Sequence, residues 1–283
     1  MADCVVLGGG VIGLSIAYEL ACHGQSVLVI ERGDVGREAS WAGAGILPAP
    51  ASCNDVPAWK QLQSISYRLH QDWSTRLKEE SGVDNGYWRC GGIHLARQLG
   101  EAAALRADMA EWAGDGVNVL PLETDGELRN LEPQLAVSLA HAGLAAFHVP
   151  DESQIRNPRH LQALSIACHN RNVQVIEQTE ITNFKIQEDR VVAAVAQREA
   201  FTAASYVIAA GAWSDTLLNS LVLPLSIYPV RGQMLLLECH ERQLAHIINE
   251  GPRYIVPRAD NFVLVGSTEE DVGFDKQTTE GGL

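Results

Sequence analysis

Apolar positions follow two rhythms along the chain. Residues 3–7 form a short, mostly apolar run, as expected of a strand buried on both faces. Residues 11–23 change to helical spacing, with Ile12, Ile16 and Leu20 four apart, and Gly24 follows as a stop. Residues 26–30 predict a second buried strand. A strand, a helix and a strand in the first 30 residues make the compact unit from which parallel sheets are built. Residues 33–50 are rich in Gly and Ala and aperiodic, which predicts a loop with a short helix. Helical spacing returns over 56–81 through Leu62, Ile65, Leu69, Trp73 and Leu77, and Gly82 ends it.

Past Tyr87 the rhythm shortens. Residues 88–96 predict a strand, 101–113 a helix, 128–133 a turn-rich connection and 143–149 another strand. Asn157-Pro158 predicts a helix start, with Asn as the cap and Pro at the first helical position, running to about residue 169. Residues 173–176, 181–187, 191–196 and 206–209 predict short strands of a small antiparallel sheet crossing over the first domain. Residues 226–238 predict a long strand broken by Pro229 and Gly232, and 253–257 with 262–265 a hairpin around Ala259, Asp260 and Asn261. The fold class expected is α/β with an α+β second domain. A Rossmann-type dinucleotide domain takes 1–84 and 150–219, and an interleaved domain with a mixed or antiparallel sheet takes 85–149 and 220–275. Residues 276–283 predict the start of a further helix at Thr279 and Glu280.

Composition narrows the function classes. With 46% apolar and 20% charged residues over 283 positions, the chain has the balance of a soluble globular protein. A net charge of −14 repels phosphate backbones and anionic lipid, so nucleic acid and acidic membranes are not expected partners. A small zwitterion is little affected by that field. Cys4, Cys22, Cys53, Cys90, Cys168 and Cys239 show no CxxC pair, which reads as reduced thiols in a cytoplasmic protein. The dispersed histidines have no i, i+4 pair, and no metal is expected. No basic region precedes an apolar core at the start, and no apolar run is long enough to span a bilayer.

The strongest chemistry lies in VVLGGGVIGLSIAYELACHGQSVLVIERG. Gly8, Gly10 and Gly13 supply G-x-G-x-x-G between a predicted strand and a predicted helix. Gly8 permits the tight turn, Gly10 lets backbone approach a pyrophosphate, and Gly13 lets the helix pack close to the sheet. The helix N-terminus offers free amides and its positive dipole end to phosphate. Glu31 ends the second strand, eighteen residues after Gly13, where a carboxylate accepts ribose hydroxyls and disfavours a 2′-phosphate. The motif fits NAD and FAD equally. The stretch Ala39, Ser40, Ala42, Gly43, Ala44, Gly45 and Ile46 has little bulk, as a second close approach to a longer, flat cofactor requires, but an ordinary Gly/Ala loop has the same composition. In YVIAAGAWSD, Gly211 either lets a strand end approach the same cofactor or caps a helix.

Together EASWAGAGILPA, DESQIRNPRHLQAL, VIAAGAWSD, PVRGQMLLL and YIVPRADNFVLVGSTEEDVGFD, in this order, resemble the FAD-dependent amino-acid oxidase family, which includes D-amino-acid oxidase and sarcosine oxidase. Within it the likeness is strongest to the glycine oxidase branch of the thiamine pathway, and it covers essentially the whole chain. The resemblance implies FAD as cofactor. It puts Val11 and Ile12 in the phosphate turn, Glu31 and Arg32 at the adenosine ribose, and Ala39 and Ser40 along the pyrophosphate. Ala44, Gly45 and Ile46 match the segment beside the isoalloxazine ring, Ile181 a backbone contact to the adenine half, and Tyr254 a hydroxyl that helps hold the substrate carboxylate.

The activity implied is oxidation of glycine, sarcosine or a small D-amino acid by hydride transfer from the α-carbon, with O2 reoxidising the flavin. No side chain is nominated as a catalytic base. Relatives also imply an assembly of like subunits. The alternatives are a dehydrogenase of the same fold passing electrons to a quinone, or an inactive fragment. Family members continue past this point into a Gly-Leu-Arg-Pro segment, whose Arg pairs with the substrate carboxylate, and a Gly-rich strand–helix. The resemblance therefore implies a C-terminally shortened chain. Arg231, Arg253 and Arg258 lie near Tyr254, but are expected to be structural or surface residues.

Overall fold

The computed structural model describes residues 2–53, 55–135, 144–219, 221, 225–242 and 244–282. The chain forms two compact units, each assembled from three separated segments. The first takes Met1–Gly43, Ser74–Asn85 and Arg156–Pro229, and the second Ala44–Trp73, Gly86–Ile155 and Val230–Leu283. Residues 44–73, which the sequence pattern assigns to the first domain, cluster with the second unit.

The first unit is organised by a parallel sheet of β1 (Ala2–Leu7), β2 (Val27–Ile30), β8 (Gln174–Ile176) and β12 (Ala203–Ile208), in the order β12-β1-β2-β8. Val5 and Val6 are wholly buried, because crossover connections cover both faces of such a sheet. Helix α1 (Val11–Cys22) follows β1 after a glycine turn and buries Gly13, Leu14, Ala17 and Tyr18. Helix α6 (Asn157–Asn170) packs beside it, and α2 (Ala39–Ala42) packs on α6. A small antiparallel sheet, β9 (Asn183–Gln187), β10 (Arg190–Val195) and β11 (Ala200–Phe201), shares a core of Val5, Leu7, Ile30, Ile181, Phe184, Ala194 and Ala203 with the parallel strands. A 3-10 turn at Gly211–Trp213 leads from β12 into α7 (Ser214–Asn219).

In the second unit, a two-stranded ribbon joins β3 (Ile46–Leu47) to β7 (Ser153–Gln154). The main sheet has seven strands in the order β13 (Met234–Glu238), β16 (Phe262–Gly266), β15 (Arg253–Pro257), β14 (Ile247–Glu250), β4 (Gly92–Ala96), β6 (Ala145–Val149) and β5 (Leu120–Pro121). Among the described residues only its β14–β4 pair is parallel, so of the mixed or antiparallel sheet expected, the mixed form is the one present. Helix α4 (Leu99–Gly114) packs on β4, and α5 (Asp125–Leu131) sends Leu128 into a core with Ile93, Leu95, Ala146 and Ile248. Helix α3 (Ala58–Ser81) supplies residues to both units.

Several expectations are corrected. The helix expected from the spacing of Ile12, Ile16 and Leu20 forms as α1, but its covered face lies elsewhere: Ile12 is 63% exposed, and Leu14, Ala17 and Tyr18 are buried. In α3, Leu62, Ile65 and Leu69 are exposed, while Leu77 is buried. Apolar periodicity identifies a helix but does not say which stripe is covered. The connection expected at 128–133 is largely helix α5, whose Thr124 side chain caps Glu127 N–H while Glu127 returns the bond, a capping box legible as Thr-x-x-Glu. Asn157 is not the cap of α6. Arg156 takes that place, and Pro158 falls in the second helical position. Strands β8 and β12 belong to the parallel sheet rather than to the antiparallel one. Only Met234–Glu238 of the long run 226–238 is a strand, and from the run 88–96 only Gly92–Ala96, with Trp88 in an isolated bridge to Gln154. The expected strand start at Gly143 and domain boundary at Ser220 lie outside the described residues.

Candidate functional site

In the first unit the candidate residues converge on the turn between β1 and α1. Gly8 has φ +112, and a Cβ there would strike the Ala209 carbonyl, so the turn packs against the end of β12. A Cβ on Gly13 would strike the Gly8 carbonyl, which is why the helix can start so close to the strand. A Cβ on Gly10 meets only the Ser40 hydroxyl at 3.1 Å, so bare backbone faces outward here. Gly10 is the N-cap of α1 and no side chain in the first turn is acidic. Helix geometry leaves the first-turn amides without intrahelical acceptors. The Val11 amide donates to Ser40 Oγ at 3.0 Å, and Ile12 is exposed beside it.

Glu31 directly follows β2 and points at this corner. It is 7% exposed, with Oε2 accepting from Gly9 N–H at 2.7 Å and Oε1 from Gly33 N–H at 2.9 Å. A carboxylate that accepts from two backbone amides is held in place by the fold itself. Arg32 next to it stacks its guanidinium 3.5 Å from the Trp213 ring centre and pairs with Glu38 at 3.2 Å. That stack links the end of β2 to the 3-10 turn that Gly211 opens with φ +53.

Ala39 and Ser40 begin α2, and the Asn157 side chain donates to Ser40 O at 2.9 Å. This anchor explains why Asn157 does not cap α6. Ile181 buries its side chain in a core shared with Val5, Leu7 and Ile30 of β1 and β2.

In the second unit, Ala44, Gly45 and Ile46 lead into β3. Ile155 N–H donates to Gly45 O at 2.9 Å, and Ile46 pairs with Gln154. Tyr254 lies in β15, and its hydroxyl donates to Met234 Sδ at 3.0 Å. A thioether is a weak acceptor, so this hydroxyl can exchange it for a stronger one at little cost. Of the nearby arginines, Arg253 is exposed, Arg231 pairs with Glu270 at 2.6 Å and Asp275 at 3.2 Å, and Arg258 is buried. The Arg231 pairing holds the Glu270 carboxyl at about 2.

Sequence reasoning did not find the Gly9–Glu31 bond, the Asn157 anchor or the partners of Arg258. The first was readable from Gly9, the middle glycine of GGG; the other two join residues more than 100 positions apart and leave no local signal. The six cysteines are free thiols. Among the described residues, no helix is long and apolar enough to cross a membrane.

These geometries match a bare-backbone seat for a dinucleotide, with a fixed carboxylate beside it. Comparison with known proteins agrees. Residues 3–282 match the family model described as DAO, FAD dependent oxidoreductase. A glycine oxidase from Pseudomonas aeruginosa is 36% identical over 278 residues, 98% of this chain and 73% of that protein. A bifunctional protein ThiO/ThiG from Nostoc sp. is 30% identical over 99% of this chain and 42% of its own length. The crystal structure of glycine oxidase from Geobacillus kaustophilus is similar with a TM-score of 0.90 and 32% identity, covering 99% of this chain and 75% of that one.

Proposed function

This chain belongs to the FAD-dependent oxidoreductase family, as an amino-acid oxidoreductase with a Rossmann-type cofactor domain, and we propose that it oxidises glycine or another small amino acid at the carbon bearing the amine. The observation that carries this reading is the likeness to a glycine oxidase over nearly the whole chain, in sequence and in fold. The overall change is glycine, O2 and water to glyoxylate, ammonia and hydrogen peroxide. Likeness to the ThiO/ThiG protein supports a role in supplying thiazole for thiamine.

FAD, when bound, supplies the acceptor for the hydride of the α-carbon and the means of passing two electrons to O2. The chain supplies position and electrostatics. The first-turn amides of α1 beyond Val11, whose N–H is held by Ser40, would face the pyrophosphate, with Gly10 at the turn and Ile12 beside it. The Ser40 hydroxyl, which accepts from Val11 N–H, has its own proton left to give to a phosphate oxygen, with Ala39 beside it. Glu31 would accept ribose hydroxyls with the lone pairs its two backbone bonds leave, and Arg32 flanks it. Ile181 and Gly211 would contribute backbone contacts, and Gly8 and Gly13 shape the corner. Ala44, Gly45 and Ile46 would lie along the ring system. Tyr254 would release Met234 Sδ and donate to the substrate carboxylate. An amine that arrives neutral needs no side-chain base.

The reading is tested by mixing the FAD-loaded protein with glycine. Without oxygen the flavin colour should bleach; with oxygen, peroxide and glyoxylate should appear in equal amounts. A flavin that stays oxidised with glycine, sarcosine and small D-amino acids alike would overturn it. Bleaching without peroxide, with turnover restored by a quinone, would replace the oxidase by a dehydrogenase.

A further inference from the structure

One buried guanidinium in the second unit ties together segments far apart in sequence. Arg258 is 4% exposed. Its Nη2 donates to Ala44 O at 2.6 Å, and its Nη1 donates to Gln154 Oε1 at 2.7 Å and to Ile155 O at 3.0 Å. Gln154, also buried, donates from Nε2 to Pro257 O at 2.8 Å. The lock is reciprocal: the end of β15 holds Gln154, and Arg258 just after it holds Gln154, Ile155 and Ala44. Tyr254 sits four residues upstream of Arg258.

We propose that Arg258 is a positioning residue for the redox reaction: it fixes the segment Ala44–Ile46 against the strand that carries Tyr254, and it polarises the peptide between Ala44 and Gly45. This rests on the reading that Ala44–Ile46 line the flavin and that Tyr254 holds substrate. Withdrawing a guanidinium from water is costly unless its hydrogen bonds are well made. An apolar side chain would fill the space at lower cost. A charge-assisted bond to a carbonyl is about twice as strong as a neutral one, and it strengthens the N–H of the same peptide as a donor. Gly45 owns that N–H. Arg258 thus sets both where the segment lies and how strongly Gly45 can donate, and small displacements of reacting groups are reflected in turnover more than in binding.

The experiment compares FAD-loaded wild-type protein with Arg258→Met, Arg258→Lys and Gln154→Leu. Read out are the flavin absorbance spectrum, the reduction potential of bound flavin, FAD affinity, and kcat and KM for glycine. Arg258→Met should shift the spectrum and the potential and lower kcat about tenfold or more, with KM and FAD affinity changed less than about threefold. Arg258→Lys should recover part of the potential and of kcat, because a charged donor remains. Gln154→Leu keeps the guanidinium but loosens it, and should lower kcat with a smaller change in potential. If Arg258→Met does not fold, the Lys and Leu variants carry the same comparison. Unaltered spectrum, potential and kcat per folded molecule in the substituted proteins, with only the melting temperature reduced, would overturn the proposal and leave Arg258 a staple. The two readings separate: glycine turnover that is indifferent to Arg258 sinks the positioning role alone, whereas a flavin that responds to Arg258 but is not reduced by glycine sinks the substrate alone.

Discussion

The Glu31 carboxylate accepts the Gly9 amide hydrogen at 2.7 Å, so the acid just after β2 and the glycine turn after β1 are tied together by the protein's own backbone. Its second oxygen takes Gly33 N–H at 2.9 Å. Glu31→Ala removes both acceptors and strands two amides. It should cost the FAD-free protein about 1–3 kcal/mol in chemical unfolding. It should also weaken FAD about tenfold or more in a fluorescence titration. Glu31→Gln keeps one acceptor oxygen and should fall between, in both measurements.

Gly13 reads differently from its neighbours in the motif. Its α-hydrogen faces the Gly8 carbonyl at a distance no methyl group can occupy. Gly13→Ala must move the backbone of α1 or of the turn, and should destabilise the first unit by about 3 kcal/mol or more. A melting temperature within about two degrees of wild type would contradict this close packing.

Helix α5 owes its start to Thr124, whose hydroxyl accepts from Glu127 N–H at 3.2 Å while Glu127 Oε2 accepts from Thr124 N–H at 3.0 Å. Thr124→Ala should cost about 0.5–2 kcal/mol, and Thr124→Ser much less. Urea unfolding of the two variants checks it, and the flavin spectrum should be unchanged in both.

Acid should loosen the Arg231–Glu270 pair over a defined window. The hydrogen bond from Arg231 holds the Glu270 carboxyl at about 2, against an ordinary 4.5. As pH falls, the unfolded chain therefore takes up this proton first. The stabilisation is complete above pH 4.5 and is lost as pH falls toward about 2. Glu270→Gln should lower stability at about pH 6 and remove this share of the acid dependence, so its unfolding midpoint should converge on wild type only as pH falls below about 2. Parallel curves for the two proteins across that range would contradict the pairing.

Tyr254→Phe removes the hydroxyl that now donates to Met234 Sδ. Steady-state kinetics should show KM for glycine raised about tenfold, as for one lost hydrogen bond to a charged group, with FAD content unchanged. An unchanged KM would take Tyr254 out of the substrate site.

Legibility followed the range of the interactions. The glycine corner and Glu31 were readable because turn, helix start and acid fall within one short strand–helix–strand segment, where each residue type answers a local demand. The hairpin around Asp260 was readable for the same reason. Helix α5 was also written locally, in Thr124 and Glu127, and its apolar run was too short to reveal it. Strand β14 was not legible, because its place depends on pairing with β4 about 150 positions away. The stripe Leu62, Ile65, Leu69 showed a helix but not the face of it that would be covered. Arg258 looked like any arginine near a strand end; only the fold brings Ala44 and Gln154 to it.

The seat at Gly10 gives the most direct measurement. A Cβ there meets only the Ser40 hydroxyl, at 3.1 Å, which a small shift of that side chain relieves, so Gly10→Ala should fold like wild type while placing a methyl group at the proposed seat of the diphosphate. FAD titrated into both apoproteins should bind wild type as one molecule per chain and bind Gly10→Ala about 100-fold more weakly, at equal melting temperatures of the cofactor-free proteins. Equal affinity in the two proteins would contradict the assignment of this corner as the cofactor's anchor.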